Sequence, residues 1–88
     1  MYAVRLAGRA EQGLKRIREG DPRSYRWVVA AIRSLSENAR PTGSAKLKGF
    51  GPPAWRLRVG DYRIVYEIHE QEVLVIVVNV APRGEVYR

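Results

Sequence analysis

Arg56, Arg58 and Arg63 fall within the stretch WRLRVGDYRIVYEI, residues Trp55 to Ile68. Apolar and polar residues alternate on either side of Gly60-Asp61. A two-residue connection with glycine first suits a type II′ hairpin. That turn sets Val59 opposite Tyr62, Arg58 opposite Arg63, Leu57 opposite Ile64, Arg56 opposite Val65 and Trp55 opposite Tyr66. One face collects Trp55, Leu57, Val59, Tyr62, Ile64 and Tyr66; the other collects Arg56, Arg58 and Arg63. Directly opposed like charges are unfavourable by a few tenths of a kcal/mol, up to about 1. An anion seated between the guanidiniums removes that repulsion, and phosphate matches their planar, paired donors. A solvated strand face, with the arginines paired to Glu67 or Glu85, is the alternative reading and stays open. The terminal APRGEVYR adds Arg83 and Tyr87. If the HEQE turn (His69 to Glu72) joins neighbouring strands, this tail returns to Gly60-Asp61 and brings a fourth cation and a phenol to the patch.

The elements that must position these groups are legible in outline. YAVRL is read as a short first strand. Leu6, Ala10, Leu14 and Ile17 recur at helical spacing, and Gly20 is expected to end that helix in a left-handed cap. Asp21-Pro22 starts a second helix: a capping carboxylate, then proline where its missing N–H costs nothing. Its stripe is Tyr25, Val28, Val29, Ile32 and Leu35, fading before Pro41. RPTGSAKLKGFGPP reads as a Gly/Pro-rich loop. Three strands follow: Trp55–Val59, Tyr62–Ile68 and Val73–Val80, the last apolar on both faces and therefore expected to be central and covered. Pro82 and Gly84 are expected to hold the tail out of the sheet. The prediction is an α+β fold, one small domain over residues 1–88, ordered β-α-α-β-β-β. A helix hairpin packs on one face of an antiparallel-rich sheet, and the first strand lies beside the last.

Bulk properties exclude several chemistries. The chain has 88 residues and no cysteine, which excludes disulfides, thiol nucleophiles and Cys-type zinc sites. Its single histidine excludes a two-histidine nuclease site and a histidine-built metal site within one chain. No cofactor or metal is expected. There is no apolar run of membrane-spanning length and no signal-peptide pattern, so a cytoplasmic protein is expected. The formal charge is +7. Residues 1–53 carry all of that excess, whereas residues 54–88 balance five cations against five carboxylates. An excess of this size points to an anionic partner, nucleic acid first. His69 is expected to be non-catalytic, Trp27 to pack against the first helix or else to lie under a partner protein, and Trp55 to join the core.

KLKG, WRLRVGDYRIVYEI, VLVIVVNV and RGEVYR together resemble the RelE/ParE superfamily of toxins from bacterial toxin–antitoxin pairs, RelE branch first, over nearly the whole chain. The resemblance implies a ribosome-dependent endoribonuclease that cuts messenger RNA in the decoding site. Carried over by motif, its functional groups fall on Arg56, Arg58, Arg63, Arg83 and Tyr87, with Lys46 and Lys48 as further RNA contacts. Arginines at 56 and 58 stand where lysines are common in the family, Pro82 where His or Lys is frequent, and the C-terminal helix of some relatives is expected to be absent. In this scheme the ribose 2′-hydroxyl attacks the adjacent phosphate, Arg63 stabilises its charge, and Arg83 stabilises the leaving group. Tyr87 is the base: a phenol ordinarily loses its proton near 10, and neighbouring cations favour the phenolate. The implied partners are messenger RNA, the ribosome and an antitoxin whose acidic segment covers the basic patch, with a monomeric toxin inside a hetero-oligomer. The rival readings are a ParE-like inhibitor of DNA gyrase and a catalytically inactive RNA- or ribosome-binding homologue.

Overall fold

A single residue reverses the chain between the two helices. The computed structural model describes residues 1–49 and 53–84. In it, α1 (Gly8–Gly20) runs directly into α2 (Pro22–Ser34). Asp21 between them leaves the helical region, with φ −152° and ψ 70°. Its amide closes α1 on the Ile17 carbonyl at 2.7 Å. Its carboxylate accepts from the Ser24 amide at 3.3 Å, capping α2 ahead of Pro22 at the first turn. The left-handed glycine expected at Gly20 is therefore absent: among the described residues the positive-φ glycines are Gly43, Gly49 and Gly60. The non-helical Asp21 makes the reversal and leaves Gly20 nothing to do.

The sheet has five strands in the order β1-β5-β4-β3-β2. They are β1 (Ala3–Leu6), β2 (Ser44–Leu47), β3 (Ala54–Val59), β4 (Tyr62–His69) and β5 (Leu74–Pro82). β1 pairs parallel with β5, as the apolar character of β5 implies, and the remaining pairs are antiparallel. The strand β2 corrects the sequence reading, which placed Ser44–Leu47 in a loop. Four residues with an alanine and a lysine carry little strand signal of their own. They become a strand because the edge of β3 offers them a ladder, Ser44 to Leu57 through Leu47 to Ala54. The chain after β5 is corrected as well: Pro82 does not leave the sheet but pairs with Tyr62 at its end.

The core lies between the helix hairpin and one face of the sheet. Ala10, Leu14 and Ile17 of α1, Val28 and Ile32 of α2, and Leu35 just beyond it meet Leu57, Ile64, Tyr66, Ile68, Val75, Val77 and Val80. Tyr66 is fully buried and donates to the Ala39 carbonyl at 2.8 Å, which ties down the chain after α2. β5 is central as expected, but among the described elements only one of its faces is covered. A bulge between Val65 and Tyr66 of β4 skips Val78, so Val80, Val77 and Val75 all meet the helices. This broken period explains the continuous apolar run. Trp27 corrects another expectation: it is 67% exposed and does not pack on α1. Trp55 sits at the margin of the core, with the Arg40 guanidinium 5.2 Å over its ring. Among the described residues no helix is long and apolar enough to cross a membrane.

Gly13 is buried where α1 crosses β5, and a Cβ there would overlap the Val80 carbonyl oxygen. Alanine ordinarily favours a mid-helix position over glycine by about 1 kcal/mol. At Gly13 the overlap should win, so Gly13→Ala should destabilise by about 1–3 kcal/mol in urea unfolding. Asp21 and Glu70 supply a pH dependence. Hydrogen bonds from Ser24 hold the Asp21 carboxyl below its ordinary value, and the Tyr2 hydroxyl does the same for Glu70. A carboxyl depressed in the folded state stabilises above its unfolded pKa and loses that contribution as pH falls through the folded one. Urea midpoints should therefore fall as pH drops from about 5 to about 2, and less steeply in Asp21→Asn.

Candidate functional site

The arginine cluster is built by the β3–β4 hairpin. Gly60 has φ +58° and Asp61 is not left-handed, which is the type II′ pattern read from the sequence. The register follows as expected: Val59 to Tyr62, Arg58 to Arg63, Leu57 to Ile64, Arg56 to Val65 and Trp55 to Tyr66. Leu57, Ile64 and Tyr66 face the helices, with Trp55, Val59 and Tyr62 packed against them. Alternation places Arg56, Arg58 and Arg63 on the opposite face, which none of the described helices covers.

Paired residues on neighbouring strands share a face, so the ladder also sets the surroundings of each arginine. Arg63 is flanked by Arg58 on one side and Ala81 on the other. Arg56 is flanked by Ala45 and Val65, and Val65 by Asn79. Val65 is 5% exposed and Ala81 8%. The cations thus stand over a floor of small and apolar side chains. Glu67 lies on the same face, beside Ala54 and diagonal to Arg56, but neither Arg56 nor Arg58 has an ion-pair partner among the described residues. Glu67, the partner that the alternative reading offered, is bound to His69 at 2.8 Å. Glu85 lies outside the described residues.

Arg83 reaches the cluster through the backbone. Its amide donates to the Asp61 carbonyl at 2.7 Å, so the end of β5 lies against the hairpin turn beside Arg58 and Arg63. The turn is tied from the helix side too: the Tyr62 hydroxyl donates to the Asp21 carboxylate at 3.2 Å. Tyr62 thus stands apart from the arginine cluster. Burial first, then its bond to Asp21, pushes its phenol above the ordinary value, and it lies on the helix face. Tyr87, the phenol expected at the cluster, lies outside the described residues.

Other expected groups are separated from the cluster. Lys46 pairs with Trp55, so it shares the helix-side face and not that of Arg56. Lys48 is exposed just past β2. His69 is the last residue of β4 rather than a turn residue, six positions and roughly 20 Å along the strand from Arg63. No group of three or more metal-ligating side chains occurs among the described residues. Asn79 was missed by the sequence reading, which treated its strand as wholly apolar. A lone amide inside VLVIVVNV was the available signal. Its place beside Val65 puts a donor and an acceptor on the arginine face.

The opposed pair has a measurable consequence. Arg58→Glu converts a like-charged rung into an unlike one and should raise stability by a few tenths of a kcal/mol at low salt. The gain should shrink at about 1 M salt, where screening is nearly complete. Urea unfolding at the two salt concentrations checks both.

A family model for the ParE toxin of the type II toxin–antitoxin system parDE matches residues 4–87. Among solved structures, the chain is similar to one in the archaeal RelE–RelB complex from Pyrococcus horikoshii OT3. Identity is 24%, covering 97% of this chain and 98% of that one, with a TM-score of 0.79. It is similar to a chain of the toxin–antitoxin complex RelBE2 from Mycobacterium tuberculosis at 25% identity, covering 93% and 98%, with a TM-score of 0.76. It is similar to the isolated RelE toxin of E. coli at 19% identity, covering 98% and 88%, with a TM-score of 0.77. No curated protein matches the chain.

Proposed function

The chain belongs to the ParE toxin family of type II toxin–antitoxin systems, and from that premise we propose that it is a metal-independent endoribonuclease that cuts messenger RNA in the ribosomal decoding site. The observation that carries this reading is the rung pairing Arg58 with Arg63 on the uncovered sheet face, with Arg56 two residues along and Arg83 at the turn. A sheet shaped by stability alone has no use for that rung. A phosphate between the guanidiniums turns its repulsion into paired, charge-assisted hydrogen bonds.

In the proposed reaction Tyr87 takes the proton of the ribose 2′-hydroxyl. The 2′-oxygen bonds to the adjacent phosphorus, the bond to the 5′-oxygen breaks, and the products are a 2′,3′-cyclic phosphate and a 5′-hydroxyl. Arg63, set over the buried floor, stabilises the charge that builds on the phosphoryl oxygens. Arg83 balances charge on the departing oxygen, which takes its proton from solvent because a guanidinium does not release one. Arg56 and Arg58 hold the phosphate and its neighbour. Lys46 and Lys48, at the exposed β2 edge, suit more distant backbone contacts. With no histidine at the site, the reaction depends on having the RNA held in place, which supports a role for the ribosome.

The expected regulator is an antitoxin, the partner of the toxin in two of the similar structures. An acidic segment would neutralise the arginine face. Beside the free edge of β1, a cavity of about 320 Å³ lined by Val4, Leu6, Leu14 and Val29 supplies apolar anchorage for the same chain. The proposed toxin is monomeric within that hetero-oligomer and acts in the cytoplasm.

A second reading is favoured by the family model itself, whose namesake branch inhibits DNA gyrase by binding. Primer extension on messenger held in programmed ribosomes separates the two. Wild-type protein should create new 3′ ends in the decoding site. Arg63→Ala should reduce them about 10²- to 10³-fold, and Tyr87→Phe about 10²- to 10⁴-fold. Folded wild-type protein that leaves every tested messenger intact, yet blocks supercoiling by gyrase, would overturn the nuclease in favour of the second reading.

A further inference from the structure

Apart from Lys46 and Lys48, the cations of the first half of the chain are not used by the site on the sheet. Seven exposed cations stand on the helix hairpin between Gly8 and Ser34, against three carboxylates. None of the seven makes a salt bridge among the described residues, although Arg23 lies near enough to the Asp21 carboxylate to help lower its pKa. On the same hairpin Trp27 is 67% exposed. Arg23 precedes it by one helical turn, Arg26 adjoins it, and Ala30 follows three positions on, all exposed. The indole therefore rises from small and cationic neighbours. The other large exposed hydrophobics among the described residues, Met1 and Val73, lie outside the helices.

That composition discriminates between partners. The core of a protein interface is an apolar cluster depleted of charge. One flat aromatic ring among exposed cations suits a nucleobase stacked on the ring, with its flanking phosphates against the guanidiniums. We propose that Trp27, Arg23 and Arg26 on the outer face of α2 form a second RNA contact, which binds an unpaired segment by stacking and phosphate neutralisation. The surface lies on the helix layer, and Arg58 and Arg63 lie on the far face of the sheet. The two contacts therefore hold different segments of RNA, so the protein grips its target from both sides. The choice of RNA over other nucleic acid rests on the nuclease reading; the stacking surface does not.

The test is a fluorescence titration with a single-stranded 2′-O-methyl RNA of about twelve nucleotides. This probe lacks the nucleophilic hydroxyl, so binding is read whether or not the protein cleaves. The chain has two tryptophans, and Trp27→Phe leaves only Trp55 emitting. RNA should quench the wild-type emission and leave that of Trp27→Phe largely unchanged. Trp27→Ala should weaken binding about ten-fold. The double variant Arg23→Ala, Arg26→Ala should flatten the slope of log affinity against log salt by about 1.4, at about 0.7 per phosphate contact. Arg63→Ala, inactive on the nuclease reading, should still show the Trp27 quenching. RNA binding with no change in Trp27 emission would overturn the proposal, as would quenching lost in Arg63→Ala. Equal quenching by polyglutamate would overturn it too and would mark the surface as a protein-docking face.

Discussion

The Gly60-Asp61 turn is the constraint on which the rest of the site depends. A two-residue connection leaves no freedom of register, and side chains alternate strictly along a strand. Once Val59 is set against Tyr62, every later rung follows, and so does the face that each side chain occupies. One parity puts Leu57, Ile64 and Tyr66 under the helices. The same parity puts Arg56, Arg58 and Arg63 on the open side. A slip of one residue would bury the arginines and expose the core, so hydrophobic burial enforces the placement of the cations. The rung that brings Arg58 against Arg63 is thus maintained by the opposite face of its own strands.

Two further contacts hold the turn in place, one from each layer. The Arg83 amide bonds the Asp61 carbonyl, and the Tyr62 hydroxyl bonds the Asp21 carboxylate that caps α2. The helix hairpin and the last strand therefore both end at the arginine patch. Asp21 serves three elements at once: it ends α1, starts α2 and anchors the tip of β3–β4. A positioning shell of this kind is what a phosphate site needs, because guanidinium donors stabilise a developing charge only when already aimed at it.

The floor of the patch is the less visible half of the design. Val65, Ala81 and Ala45 carry no polar atoms that could compete for the guanidiniums, and a dry, apolar floor strengthens each electrostatic contact above it. The bulge at Val78 lets β5 serve this face and the core together. It keeps Val80, Val77 and Val75 on the helix side while Asn79 and Ala81 remain with the arginines. One strand without a regular period thus supplies a continuous core on one side and a polar handle on the other.

The sequence by itself determined the two helices, the Asp21-Pro22 junction, the β3–β4 register and the arginine face. These rest on local rules: a 3.6-residue or two-residue period, a capping carboxylate, a two-residue turn. The family was legible for the same reason, because its motif lies in that hairpin. Only the tertiary structure decided what depends on a neighbour. β2 exists because β3 presents an open ladder, which four residues of weak strand propensity cannot announce alone. The exposure of Trp27 depends on where α1 lies, and the side of the sheet taken by Lys46 depends on a register with a strand not visible in its own sequence. The place of Asn79 on the arginine face depends on pairing across β4, and the approach of Arg83 to Asp61 on the length of β5. Each is a contact between residues distant in the chain, and periodicity along one segment carries no information about them.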